Sequence, residues 1–104
     1  MSKICILDCT LRDGGYINNW SFGDTSIKRI TQCLCESNVE IIECGFIRDE
    51  PYNSNRSVYS SVEQISDVIY PKKSSAMYVA MIALGDIDVN KISHQKENSI
   101  LIVY

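Results

Sequence analysis

The sequence predicts an α/β fold with parallel strands, and three observations carry that expectation. Short apolar runs rich in β-branched residues recur at strand length, stretches with apolar residues spaced three and four apart lie between them, and turn residues separate the two kinds. The resulting order is β-α-β-α-β-α-β, which implies right-handed crossovers and helices laid against a sheet. Two arrangements stay open on spacing alone, an open doubly wound sheet or part of a (β/α)8 barrel. Four strands and three helices in 104 residues come close to half of the full barrel, which typically takes about 250 residues.

Each element has its own signal. "KICILDC" (3–9) is an apolar run of the kind that is buried on both faces in a parallel sheet. Asp24 is placed to cap a helix over 24–37, with Ile27, Ile30 and Leu34 on its apolar stripe and Asn38 as a left-handed stop. "VEIIECGF" (39–46) reads as the second strand and ends before the turn-rich "RDEPYNSN". Ser60 with Glu63 three residues on matches a capping box for a helix over 60–70, with the stripe Val62, Ile65, Val68 and Ile69 and Pro71 closing it. The third strand is expected over 75–85, a short helix over 86–94, and a fourth strand over 99–104. Residues 1–104 therefore form a single domain.

Composition narrows the function classes. A net charge of −3 and ten scattered Lys and Arg leave no basic surface for phosphate backbones, so nucleic acid is not an expected partner. No apolar run approaches the roughly 20 residues of a membrane helix, and "MSKICILDCT" reaches an acid too soon for a secretory signal. A cytoplasmic location is the expectation. The five cysteines form no CxxC pair and lie near no histidine cluster, so they are read mostly as buried reduced thiols.

The chemistry gathers where strands end. In parallel α/β folds the loops beyond the carboxyl ends of the strands carry the site. Arg12 and Asp13 fall there, Glu43 ends the second strand in the corresponding place, and Gly14, Gly15 and Gly45 allow a sharp turn or a close ligand approach. Asp13 offers the hard oxygen that Mg²⁺ or Mn²⁺ takes, and the fork of Arg12 suits a carboxylate or an oxygen gaining negative charge, as in an enolate. The competing reading is an arginine–carboxylate pair that only fixes a loop. Trp20 and Phe22, in the same loop, either cover a substrate or pack against the first helix, packing being the commoner fate of large apolar side chains. Arg48, Asp49, Glu50 and Arg56 read as a solvated loop of mixed charge, with Arg48 also able to face an anionic substrate.

"LDCTLRDGG" resembles the first-strand signature of the DRE-TIM metallolyase superfamily, the HMG-CoA lyase-like or pyruvate carboxyltransferase domains, and "IIECGF" is similar to the segment that supplies the family's glutamate. The likeness spans residues 4–47, and "GGY" with "NNW" is most similar to the 4-hydroxy-2-oxovalerate aldolase-like branch. The resemblance implies the N-terminal half of a TIM (β/α)8 barrel that makes or breaks a carbon–carbon bond beside a 2-oxo acid or thioester. It implies that Arg12 steadies the enolate oxygen, that Asp13 is a ligand of a divalent metal (Mg or Mn), and that Glu43 orients the rim. No other cofactor is implied.

Two departures stand beside it. Tyr16 occupies the position where aldolases of this group carry a catalytic histidine, and a tyrosine of ordinary pKa, near 10, is a poor base at neutral pH. The family's His-x-His metal ligands have no counterpart, since His94 is the one histidine and lies in a polar stretch. An apolar fourth strand at the chain end, with the first strand at the opposite edge, leads to two further expectations: a chain shortened after strand four, and a homo-oligomer formed through open sheet edges. Two functions follow: the metal-binding half of a divalent-metal-dependent aldolase or lyase acting on a small 2-oxo acid, or a half-barrel without independent catalysis that serves as an assembly element. A nucleotide site is the weaker alternative, because the first loop lacks the glycine-rich phosphate cradles.

Overall fold

The strand over Ile41–Ile47 (β2) is the axis of the molecule, and every residue from Ile42 to Ile47 is buried. The computed structural model describes residues 4–69, 76–83 and 101–103. Around β2 the elements in chain order are β1 (Leu7–Asp8), a 3-10 turn over Asp13–Ile17, α1 (Asp24–Glu36), β3 (Val58–Tyr59), α2 (Val62–Ser66), β4 (Met77–Met81) and β5 (Leu101–Val103). All strand pairings are parallel, in the order β1-β2-β4-β5, with β3 also paired to β2. Because β4 already lies alongside Phe46, β3 continues β1's side of β2. An α/β fold with an open parallel sheet is thus what the chain forms.

Several boundaries differ from expectation for identifiable reasons. The first strand was expected to be buried on both faces, yet Ile4, Ile6 and Leu7 are exposed, since among the described residues β1 pairs with β2 alone and lies at the edge. Helix α1 begins one residue after its cap, Gly23, rather than capping on Asp24. The Asp24 N–H is instead taken by the Asn55 side chain at 3.1 Å. Its far end follows the expectation: Asn38 adopts φ 63°, and Val39 and Asn38 donate to the carbonyls of Leu34 and Cys35 in a Schellman arrangement. In α2 the partner of Ser60 is Gln64 rather than Glu63, with Gln64 accepting from the Ser60 N–H and donating to its hydroxyl, both at 2.8 Å. The two-residue strand β3 has no counterpart among the expected elements, since two residues give no periodicity. The helix expected over 86–94 and His94 lie outside the described residues.

The bulge in β2 decides which side chains face where. Register runs Glu43 to Val79 and then Phe46 to Met81, so three steps on β2 match two on β4. Gly45 stands in the bulge at φ 140°, and a β-carbon there would collide with the Ser57 carbonyl, so glycine is required twice over. Ile42, Cys44, Tyr78 and Ala80 consequently join Ile27 of α1 and Ile65 of α2 in the main core. Glu43 and Phe46 turn to the opposite face, where Phe46 packs with Trp20 and Val58.

The buried polar residues Thr31, Glu43 and Ser57 all have hydrogen-bond partners. Thr31, fully buried on α1, donates to the carbonyls of Val68 at 2.8 Å and Lys28 at 2.9 Å, tying α1 to the end of α2. Tyr59 is fully buried and donates to the Cys44 carbonyl at 3.1 Å. Of the five reduced cysteines only Cys44 is buried, against the expectation for most of them: Cys5 and Cys33 are exposed, on the edge approach and the outer side of α1.

Burial pushes the Cys44 thiol up from 9.0 to about 12 and raises the Tyr59 phenol well above 10.0. Both groups hold their protons longer in the folded chain than in the unfolded one. The stability they confer is therefore complete below the unfolded thiol value and is lost as pH rises toward the folded one. Urea unfolding at pH 8 and pH 10.5 is expected to show a loss of about 2 kcal/mol from Cys44 alone. Equal stability at the two pH values would contradict this placement of the thiol.

Candidate functional site

After β1 the chain curls at once. Asp8 closes the strand by accepting from the Thr10 N–H at 2.9 Å and its hydroxyl at 3.0 Å, an Asx turn. The Cys9 carbonyl then accepts from the N–H groups of Arg12 and Asp13 at 3.1 and 2.7 Å. This double turn brings Arg12 back over the sheet face that carries Glu43.

The two side chains meet as a fork: Arg12 Nε lies 2.6 Å from Glu43 Oε2, and Nη2 lies 3.4 Å from Oε1. Glu43 is 5% exposed, whereas the Arg12 side chain keeps 23% of its surface. Its hydrogen bond to Glu43 raises the Arg12 pKa further above its ordinary value, so the guanidinium stays charged at every working pH. Asp13 is 63% exposed and lies 3.6 Å from Arg12 Nη1. Glu43 does not end β2, as the sequence led one to expect, but lies inside it, because pairing with β3 and β4 carries the strand on through the bulge to Ile47.

Trp20 supports this arrangement from below. Its indole is 7% exposed and donates from Nε1 to the Arg12 carbonyl at 2.6 Å. It lies against Gly15, where a β-carbon would run into the ring, and edge-on to Phe46 at 5.4 Å. Packing was the expected fate of Trp20, but its neighbours are Phe46 and Val58 rather than the first helix. Phe22 is half-buried between the two cores. Tyr16 is 63% exposed, edge-on to Trp20 with ring centres 4.8 Å apart. The glycines thus serve internal packing: Gly15 seats the indole and Gly45 seats Ser57, while a β-carbon on Gly14 would only touch Thr10.

Residues 53–57 organise the rim, which sequence reasoning missed. Asn19 and Trp20 both hold φ near 55–59°, a costly conformation for residues other than glycine. Arg56 compensates by donating from Nε to the Asn19 carbonyl at 3.1 Å while it pairs with Glu50 at 2.8 Å. Ser57, fully buried, donates its N–H to Trp20 at 3.0 Å and its hydroxyl to Leu11 at 2.7 Å. Arg56 is therefore a staple rather than part of a solvated loop. The one available signal was the clustering of Asn and Ser, which marks a loop rich in local hydrogen bonds without saying to what.

Among the described residues no three His, Cys, Asp or Glu side chains gather as a ligand cluster, so Asp13 stands as one hard oxygen donor beside Arg12. A groove of about 430 Å³ lies elsewhere, between α1 and the end of α2, lined by Asp24, Lys28 and Asp67 among others. It is distant in topology from the chemistry at Arg12. Among the described residues no helix is long and apolar enough to cross a membrane. Compared with known proteins, the chain matches no family model, no curated protein and no solved structure.

Proposed function

We propose that this chain is the metal-binding N-terminal half of a divalent-metal-dependent aldolase or lyase, acting through an enolate on a small 2-oxo acid. The observation that carries the reading is the fork between Arg12 and Glu43, which fixes a permanently charged guanidinium at the rim next to the exposed carboxylate of Asp13. In this reading the sheet is the first half of a (β/α)8 barrel and the face opposite the helices is its interior. The order β1-β2-β4-β5, sequential apart from the two-residue β3, supports that view.

Each residue then has a role that its geometry suits. Asp13 would supply one oxygen to Mg²⁺ or Mn²⁺, and such an ion when bound would draw electron density from the 2-oxo acid. Asp13 fits as one ligand, and no pair among these residues replaces the remaining two. Arg12 donates from the edge not occupied by Glu43 to the oxygen that becomes the enolate. Glu43 is a positioning residue whose buried carboxylate fixes the angle of that fork. Tyr16 forms the exposed wall of the rim and meets the substrate as a hydroxyl donor.

Water-proton relaxation with Mn²⁺ and oxalate, which mimics the enolate of pyruvate, tests this reading. Enhancement on adding oxalate is expected for the unmodified chain, with an affinity loss of roughly tenfold to a hundredfold for Arg12→Met and loss of Mn²⁺ binding for Asp13→Asn. A folded sample that binds neither Mn²⁺ nor the Mn²⁺–oxalate pair would overturn it.

A second reading, the half-barrel as an assembly element without independent catalysis, is favoured by one observation. Ile4, Ile6 and Leu7 are exposed along the open edge at β1, and Met77 is exposed in the same register row as Leu7. An apolar edge of that kind favours pairing with a second copy. Light scattering is expected to show a dimer or larger species that Ile6→Lys dissociates, and a monodisperse monomer at micromolar concentration would contradict it.

A further inference from the structure

Just past the end of β2, Arg48 brings a second guanidinium to the face that holds Arg12 and Glu43. Phe46 pairs with Met81, two rungs on from the Glu43–Val79 pair, so Glu43 and Phe46 share a face and Arg48, two residues further, returns to it. The Arg48 guanidinium carbon lies 4.3 Å from the centre of the Phe46 ring and 5.0 Å from that of Trp20. Trp20 is also the indole that holds the Arg12 carbonyl. One aromatic group therefore carries the Arg48 guanidinium and holds the backbone of Arg12, with the exposed ring of Tyr16 beside it.

The spacing defines what fits. Along the strand, Phe46 is two rungs from Glu43 and Arg48 four rungs, about 7 and 13 Å, and the guanidinium lies over the nearer of the two. A guanidinium stacked on aromatic faces gives up less freedom on binding than a free surface arginine, and its fork matches the two oxygens of a carboxylate. Its five N–H donors serve more than one acceptor, so an anion and a protein partner are compatible. One guanidinium carries one unit of charge and balances one carboxylate. A phosphate dianion would add uncompensated negative charge at a rim where Asp13 is already exposed.

We propose that Arg48 determines substrate specificity by receiving a second carboxylate, so that the preferred substrate class is a 2-oxo acid with a carboxylate at its far end. This rests on the reading of Arg12 and Asp13 given above, and oxalate, too short to reach Arg48, separates the two.

The test is binding of matched diacids and monoacids in the presence of Mn²⁺: 2-oxoadipate against 2-oxohexanoate and 2-oxopimelate against 2-oxoheptanoate. Trp20, the single tryptophan, serves as the fluorescent reporter. At least one diacid is expected to bind about tenfold more tightly than its monoacid, the scale of one charge-assisted fork. Arg48→Met is expected to reduce that ratio to within twofold while oxalate binding stays unchanged. Arg48→Lys keeps the cation over the rings and guards against loss of folding, and its ratio is expected to fall to about threefold because the fork is gone. Oxalate binding with no preference for either diacid would overturn the Arg48 proposal alone, as would a preference that survives Arg48→Met. Failure of oxalate and every 2-oxo acid to bind would overturn both readings.

Discussion

A carboxylate that is almost wholly withdrawn from water needs a cation, and the position of Glu43 inside β2 makes Arg12 that cation. The cost of burying a lone carboxylate is several kcal/mol, so the loop after β1 is pulled down over the sheet rather than left in solvent. The first loop is arranged around this contact, with Arg56 and Ser57 holding its far side. The curl of residues 9–13, the seating of Trp20 against Gly15, and the exposure of Asp13 all depend on where the Arg12 backbone is held.

The aromatic group beside that contact forms only because β2 is irregular. In a regular strand the side chains of Glu43 and Phe46 would point to opposite faces. The extra residue at Gly45 brings them onto one face and lets Ser57 approach the strand closely enough to bridge β2, the first loop and Trp20. The main core, built from Ile27, Ile42, Cys44, Ile65 and Tyr78, lies on the other face, away from the candidate site. Stability and the candidate site are thus divided between the two sides of one strand.

How much of this was legible depends on what each feature is made of. Helix α1 and the strands β2 and β4 follow from periodicity and β-branched runs, and Asn38 marked the end of α1 because few other residues adopt its backbone conformation readily. Arg12, Asp13 and Glu43 stood out as charges beside apolar runs, and the pairing of Arg12 with Glu43 agrees with the rim they were expected to form. The exposure of Ile4 and Leu7 was hidden because an apolar run looks the same at a sheet edge as at its centre. The roles of Asn55, Arg56 and Ser57 were hidden because hydrogen bonds from a loop to a segment 31 to 46 residues away leave no local pattern. Cys44 and Cys33 are chemically alike in the sequence, and only the fold separates a buried thiol from an exposed one.

The most direct measurement is a double-mutant cycle on Arg12 and Glu43, using Arg12→Met, Glu43→Gln and the pair, with stability read by urea unfolding. If the fork organises the rim, the two residues couple by about 1.5 kcal/mol or more. In that case each single variant also shifts the emission of Trp20, which hangs from the Arg12 carbonyl. Coupling below about 0.5 kcal/mol, the value of an exposed pair, with unchanged tryptophan emission would show that the contact is incidental and that the rim is held by other means.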